Sequence, residues 1–150
     1  MRILAENKKA FFDYEILEKY EAGISLTGQE VKSLKAGRIS LAGTFVILRG
    51  EEAFWVGAKI PAWQPLNAPS YKEERKRKLL LTKKEIKRLI GKVKQRGLTL
   101  IPLKLYTKGR WIKLEFGLAK KKKKTDKREI LKKKAIEKEI ARTLKEYRGQ

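Results

Sequence analysis

Few side chains in this chain can do chemistry, and most of those that can are cations. Histidine and cysteine are both absent. That removes the commonest general base, the commonest metal ligand, any thiolate site and any disulfide. Paired carboxylates occur at Glu51-Glu52, in an expected turn, and at Glu73-Glu74, in a basic loop. Neither setting raises a carboxylate pKa toward neutrality. Ser25, Ser33, Ser40 and Ser70 lack a histidine partner and a nucleophile-elbow context. No glycine-rich loop with its lysine offers a phosphate cradle. These residues predict no catalysis, no cofactor and no resident metal. A nuclease-type site would need three acids converging from distant positions, and nothing in the sequence points to one.

Binding chemistry, by contrast, runs the length of the chain. The 150 residues carry a formal charge of +22, with a pI near 10.2. Self-repulsion on that scale is tolerable when the partner is strongly anionic. Nucleic acid is the leading partner and an acidic membrane surface the second. No apolar run approaches the ~20 residues of a membrane span, and the first residues lack a signal-peptide stretch. A cytoplasmic location is the natural expectation. Residues 1–117 hold 25 Lys/Arg against 12 Asp/Glu, and residues 118–150 hold 14 against 5. Both segments therefore call for the same kind of partner. The expected organisation is a barrel over 1–117 and a basic tail over 118–150.

The tail opens with Lys120, Lys121, Lys122, Lys123 and Lys124, followed by Thr125, Asp126, Lys127, Arg128 and Glu129. Asp126 with Glu129 reads as an N-cap and its reciprocal acid. Ile136, Ile140, Leu144 and Tyr147 then recur on one helical face. That stripe is narrow and includes Lys133, so one such helix cannot offset its own ordering entropy. The tail is expected to be disordered when free and helical against a polyanion. A solvated basic tail without a specific role is the competing reading.

The elements that would position these cations can be read in order. Residues 3–10 form a polar lead. Phe12, Tyr14 and Ile16 alternate as a half-buried strand. Residues 18–23 read as a connection and 24–26 as a short strand. Thr27 and Glu30 make a capping box for a helix ending at Gly37, which presents Lys32, Lys35 and Arg38. Residues 44–49 and 53–58 form an apolar hairpin. Pro61, Pro65 and Pro69 stiffen the loop that follows. Arg75 to Lys78 is a cationic run leading into a strand, read as a phosphate-facing loop with a plain solvated loop as the competing reading.

Thr82 and Glu85 cap a second helix, whose stripe of Ile86, Leu89, Ile90 and Val93 is core and whose stop is Gly97. A last hairpin, 98–106 with 110–118, turns at Lys108-Gly109. Pro102 predicts an edge or bulge in its first strand. Arg110, Trp111, Lys104 and Lys113 gather cations beside an aromatic, with Trp111 either core or an RNA-stacking platform. Many strands with inserted helices and no βαβ alternation predict a mainly β, α+β fold. The architecture would be an antiparallel OB-fold-like barrel with two or three helices and a basic tail. At this level the chain reads as an RNA or DNA binder.

The block from Tyr20 to Gly37, YEAGISLTGQEVKSLKAG, resembles the signature of the bacterial small protein B (SsrA-binding protein) family. So do Arg77-Lys78-Leu79-Leu80-Leu81, the Leu105-Tyr106 and Trp111-Ile112-Lys113 hairpin, and Ala119-Lys120 with Asp126-Lys127-Arg128. Order and spacing agree across nearly the whole chain.

The resemblance implies an oligonucleotide-binding barrel that holds the tRNA-like domain of transfer-messenger RNA. The pair would enter the vacant A site of a stalled ribosome, with the tail in the empty mRNA channel. It implies small-subunit rRNA, elongation factor Tu and alanyl-tRNA synthetase as associates, and no catalysis. Carried over by position, RNA contacts fall on Asn7, Glu21, Leu80 and Lys113. Lys8, Lys35, Lys78, Arg110 and Trp111 join them as candidates, and Asp126-Lys127-Arg128 with Lys120–Lys124 would meet the decoding centre. Leu80 reads equally well as strand core. Two positions depart from the family pattern: Thr125 stands where His or Tyr is frequent, and Lys121 where Gly is common. A structural ribosomal or nucleoid-associated protein is the alternative function.

Overall fold

Antiparallel pairing dominates the architecture because most strands alternate apolar and polar residues and are joined by short turns. The computed structural model describes residues 1–67 and 70–148, with side chains for all of these except 67, 96, 124–126, 130 and 143–148. In chain order the elements are β1 (Arg2–Glu6), α1 (Lys8–Asp13), β2 (Tyr14–Ile24), α2 (Gly28–Lys35), β3 (Phe45–Arg49) and β4 (Glu52–Val56). A short 3-10 turn (Pro65–Asn67) follows, then β5 (Arg77–Leu80), α3 (Lys83–Arg96), β6 (Thr99–Lys108), β7 (Trp111–Lys121) and α4 (Lys124–Arg148). The seven strands run in the order β1-β6-β3-β4-β5-β2-β7, and β6 also pairs with β7. That last pairing closes all but β1 into a ring. The closure between β3 and β6 rests on one residue pair, Val46 opposite Leu100.

The ring encloses a single main core. Trp55, Leu79, Leu100, Leu105, Leu114 and Phe116 are almost fully buried in it. Each such side chain contributes about 1.5–3 kcal/mol on burial. Helices α2 and α3 add Leu34 and Leu89 to the same cluster. Helix α2 starts with the full capping box expected, and α3 with its hydroxyl half. The Thr27 hydroxyl accepts from the Glu30 N–H while Glu30 returns a bond to the Thr27 N–H, and the Thr82 hydroxyl accepts from the Glu85 N–H. Ile86 and Leu89 of the α3 stripe are core while Ile90 and Val93 are half-buried, and Gly97 ends the helix in the left-handed region at φ 61°.

Pro102 marks a bulge, since the β6–β7 register shifts between Pro102 and Lys104. There β6 exchanges its partner β3, at Leu100, for β1, from Lys104 onward. The Pro102 carbonyl accepts from the Asn7 side chain at 2.9 Å.

Four sequence readings are corrected. The polar lead is a strand and the start of a helix: β1 adds to the free side of β6, and α1 carries Phe11 and Phe12, which had been read as strand. Residues 18–23 are not a connection. They belong to one strand, β2, which pairs with β7 from Tyr14 through Gly23, so its outward polar residues belong to a half-exposed face. Strand β7 continues through Lys121 and carries the buried Leu118 and Ala119, past the 117/118 boundary.

The fourth concerns the tail. Helix α4 begins at Lys124, so Asp126 lies within its first turn, and Lys127 N donates to Lys123 O at 3.3 Å. Among the described residues, the contacts of the helix with the barrel lie near its start. Lys127 Nζ pairs with Asp13 Oδ1 at 3.0 Å, and Lys122 Nζ donates to Phe11 O at 3.0 Å. Lys127 and Lys134 sit over the Phe12 ring. Beyond that, Ile136 and Ile140 of the expected stripe are exposed, as is Leu131. The side chains of Leu144 and Tyr147, at the far end of the stripe, lie outside the described residues.

Candidate nucleic-acid interface

Three neighbouring strands build the site. Gly23 on β2 lies opposite Leu80 on β5 and, on its other side, opposite Lys113 on β7. Leu80, Gly23 and Lys113 thus form one row across the sheet. Ala22 points into the core, so Glu21 and Gly23 face outward by the two-residue period of a strand. The glycine lets its neighbours lean inward. A Cβ at Gly23 would lie 3.3 Å from Leu80 Cδ1 and 3.6 Å from Lys113 Nζ. Leu80 is 55% exposed, which excludes the core reading and leaves an apolar side chain on a charged outer face. Such a side chain can pack on a ribose or base while the lysine beside it meets a phosphate.

The row continues to Tyr106 on β6, opposite Lys113, and Glu21, two residues before Gly23 on β2, reaches it. Its carboxylate accepts from the Tyr106 hydroxyl and, at 3.3 Å, from Lys108 Nζ. The Tyr106 bond is the main influence holding the Glu21 carboxyl below the usual carboxylate range; partial burial opposes it, and Lys108 and Lys113 add to it. Tyr106 is correspondingly pushed up, first by burial and then by this bond. Glu21 therefore stays anionic and can still accept from a 2′-OH or a base amino group. Sequence reasoning missed Tyr106 and Lys108 as its holders. The signal was the hairpin register, which places Tyr106 opposite Lys113.

Trp111 shares the outward face of β7 with Lys113 and is 64% exposed, so it is not core. Arg110 stands beside it at the exposed hairpin turn. Lys78 is exposed on β5 and only loosely paired, 3.8 Å from Glu52. The structure thus gathers Glu21, Leu80, Lys113 and Trp111 on adjoining strands.

The other candidates lie apart. Asn7 is buried and caps α1: its Oδ1 accepts from Ala10 N at 3.2 Å and its Nδ2 is bound to Pro102 O. Its side chain works inside the fold and sets where α1 presents the exposed Lys8. Lys35 ends α2, and its carbonyl accepts from the Arg2 guanidinium at 2.6 Å.

Of the tail cations, Lys120 and Lys121 finish β7 opposite Glu15 and Tyr14. Lys122 and Lys127 are tied to α1, whereas Lys123 and Arg128 are exposed. The side chains of Lys124, Thr125 and Asp126 lie outside the described residues.

The cationic run from Arg75 to Lys78 splits by strand alternation. Arg77 is fully buried, with Nε 2.6 Å from Glu30 Oε2 and further bonds to Ala58 O, Glu73 O and the Tyr71 hydroxyl. Arg75 reaches the other Glu30 oxygen at 2.5 Å. These two arginines hold the fold together and do not face phosphate. Burial is the largest influence on Glu30 and raises its pKa, but the Thr27 N–H, Arg75 and Arg77 together outweigh it and leave the carboxyl below its ordinary range. Among the described residues no group of three or more acids is gathered to hold a metal ion, and no helix is long and apolar enough to cross a membrane.

A small antiparallel ring with cations, an anion held by a phenol and an exposed indole on one outer face belongs to the class of oligonucleotide-binding barrels. Comparison with known proteins narrows the class. The family model described as SmpB protein matches residues 4–146, and the chain belongs to that family. A curated relative from Nitratiruptor, named SsrA-binding protein, is 51% identical over 151 residues, covering 99% of this chain and 100% of the relative. Another of that name, from Magnetococcus marinus, is 49% identical over 144 residues and 96% of each chain. A solved chain described as "tmRNA-SmpB: a journey to the center of the bacterial ribosome" is 48% identical. It superposes with a TM-score of 0.65 over 79% of this chain and 84% of its own.

Proposed function

We propose that this protein binds transfer-messenger RNA and serves trans-translation, the rescue of stalled ribosomes. The observation that carries this reading is the near full-length likeness to SsrA-binding proteins. The Leu80–Gly23–Lys113 row, with Glu21 and Trp111, is the surface that grips the tRNA-like domain. Lys8, Lys35, Lys78 and Arg110 add flanking phosphate contacts. The loaded RNA enters the vacant A site with this protein in place of an anticodon arm. Elongation factor Tu and alanyl-tRNA synthetase act on the same RNA.

The end of β7 and the helix that follows it form the second working unit, and the exposed length of α4 suits it to a channel walled by rRNA. Away from such a wall its apolar stripe is too narrow to keep it ordered. Its leading cations, Lys120–Lys124 with Asp126, Lys127 and Arg128, meet the decoding centre. That assignment requires Lys122 and Lys127 to leave α1.

A gel shift with the tRNA-like domain tests the first half: binding should be much tighter than to an arbitrary duplex, and equal affinity would refute it. Circular dichroism of the 118–150 peptide, with and without RNA, tests the second. A peptide already fully helical in buffer would contradict it.

A further inference from the structure

The loop after β4 carries an exposed indole that the surface just described does not use. Trp63 is 37% exposed and the nearby Leu66 is 96% exposed, although Ile60 and Ala62 on the same loop are buried. The loop is held at several points. Ile60 N donates to Glu73 O at 3.0 Å, the Tyr71 hydroxyl donates to Ile60 O at 2.6 Å, and the Ser33 hydroxyl of α2 donates to Pro61 O. Gln64 N donates to the Gln29 side chain at 2.7 Å. Pro61 and Pro65 remove further freedom.

One face of the Trp63 ring is backed by the Arg38 guanidinium, 4.8 Å from the centroid. Lys32 and Lys35 are exposed on α2, whose single acid, Glu30, is buried and consumed by arginines. Among the described residues none of Lys32, Lys35 and Arg38 is ion-paired.

We propose that Trp63, backed by Arg38 just past α2, a helix that also exposes Lys32 and Lys35, is a second RNA subsite that stacks one unpaired nucleobase. An indole fixed on a proline-stiffened loop loses little freedom when a flat ring lies on it. The guanidinium beneath strengthens the stack, and the unpaired lysines neutralise the flanking phosphates. Apart from Lys35, no residue is shared with the contacts already assigned. This inference rests on the RNA-binding reading above. The base comes either from the tRNA-like domain or from ribosomal RNA.

The test uses the full chain with Trp63→Ala, Trp63→Phe and Trp63→Leu. Phe and Leu both fill much of the indole's volume, and thermal unfolding checks that all three fold. Binding is measured separately to the tRNA-like domain and to small ribosomal subunits at fixed salt. Stacking predicts about tenfold weaker binding for Ala and Leu, and substantial rescue by Phe. Loss with the isolated domain supports the first source, and loss with subunits alone supports the second. Wild-type affinity of Trp63→Ala for both overturns the subsite, including the case in which the loop docks a protein instead. Leu binding as well as Phe overturns stacking. If the unsubstituted protein binds neither RNA, the broader reading falls along with this one.

Discussion

The barrel and the tail helix use charge in opposite ways. On the barrel the informative charges are held: Glu21 by Tyr106 and Lys108, Glu30 by Arg75 and Arg77, Glu18 by Lys92 at 2.5 Å. Each is fixed by a partner far away in sequence. On α4 the cations stand in excess, exposed along the helix, with one anchor at Asp13. The first arrangement is pre-organised and can read shape; the second is a field that takes its order from whatever surrounds it. The proposed role, gripping one RNA and probing a channel lined by another, uses both.

That contrast can be broken most severely at the tail. Removing residues 124–148 should leave affinity for the tRNA-like domain near its original value and abolish tagging of stalled chains. If the helix neutralises about 6–10 phosphates, its contribution to ribosome binding should fall by about 10³–10⁵ between 50 and 200 mM salt. Salt titration of subunit binding, with and without the helix, checks this, and parallel curves would remove the distinction.

Next in size is the barrel's interior. Glu30→Ala leaves Arg77 buried without its counter-charge and should cost about 3–5 kcal/mol of stability by urea unfolding. The 124–148 deletion should cost less than about 1 kcal/mol. The same pair sets a pH response. The folded pKa of Glu30 lies below its unfolded value, so its stabilisation is complete above the unfolded value of ~4.3 and is lost as pH falls through the folded one. Thermal midpoints of Glu30→Gln should therefore decline less toward acid than those of the unsubstituted chain.

Smaller effects sharpen the surface. Leu80→Ala removes an exposed side chain, so stability should stay within about 0.5 kcal/mol while affinity for the tRNA-like domain drops about tenfold. Lys113→Ala should reduce the slope of log affinity against log salt by about one. The least effect belongs to Asp13→Asn, which frees Lys127 at a cost below about 1 kcal/mol. Faster amide exchange in the first turn of α4 would show the release.

What could be read in advance divides along the same line. The capping box at Thr27, the Thr82 N-cap, the buried Ile86 and Leu89 of α3 and both hairpins are local patterns and formed as read, although of the Thr82 box only the hydroxyl half is made. The middle of β2, residues 18–23, was missed because its outward positions are charged and its partners lie on β7, about a hundred residues on. Glu30 was assigned to the cap, which accounts for only part of its bonding; Arg75 and Arg77 come from a run that looks solvated on the page. The Tyr106–Glu21 bond and the Arg38–Trp63 stack likewise depend on tertiary register. Of the proposed site, the resemblance supplied the positions, and only the fold showed that Leu80 stands exposed rather than in the core.

The lone Val46–Leu100 rung between β3 and β6 makes that seam the easiest place for the ring to breathe. Elsewhere on the ring, β2 and β7 zip together from Tyr14 to Gly23 and carry Glu21 and Lys113. Transient gaping can relax the cylinder at one seam without unlatching the gripping surface at another.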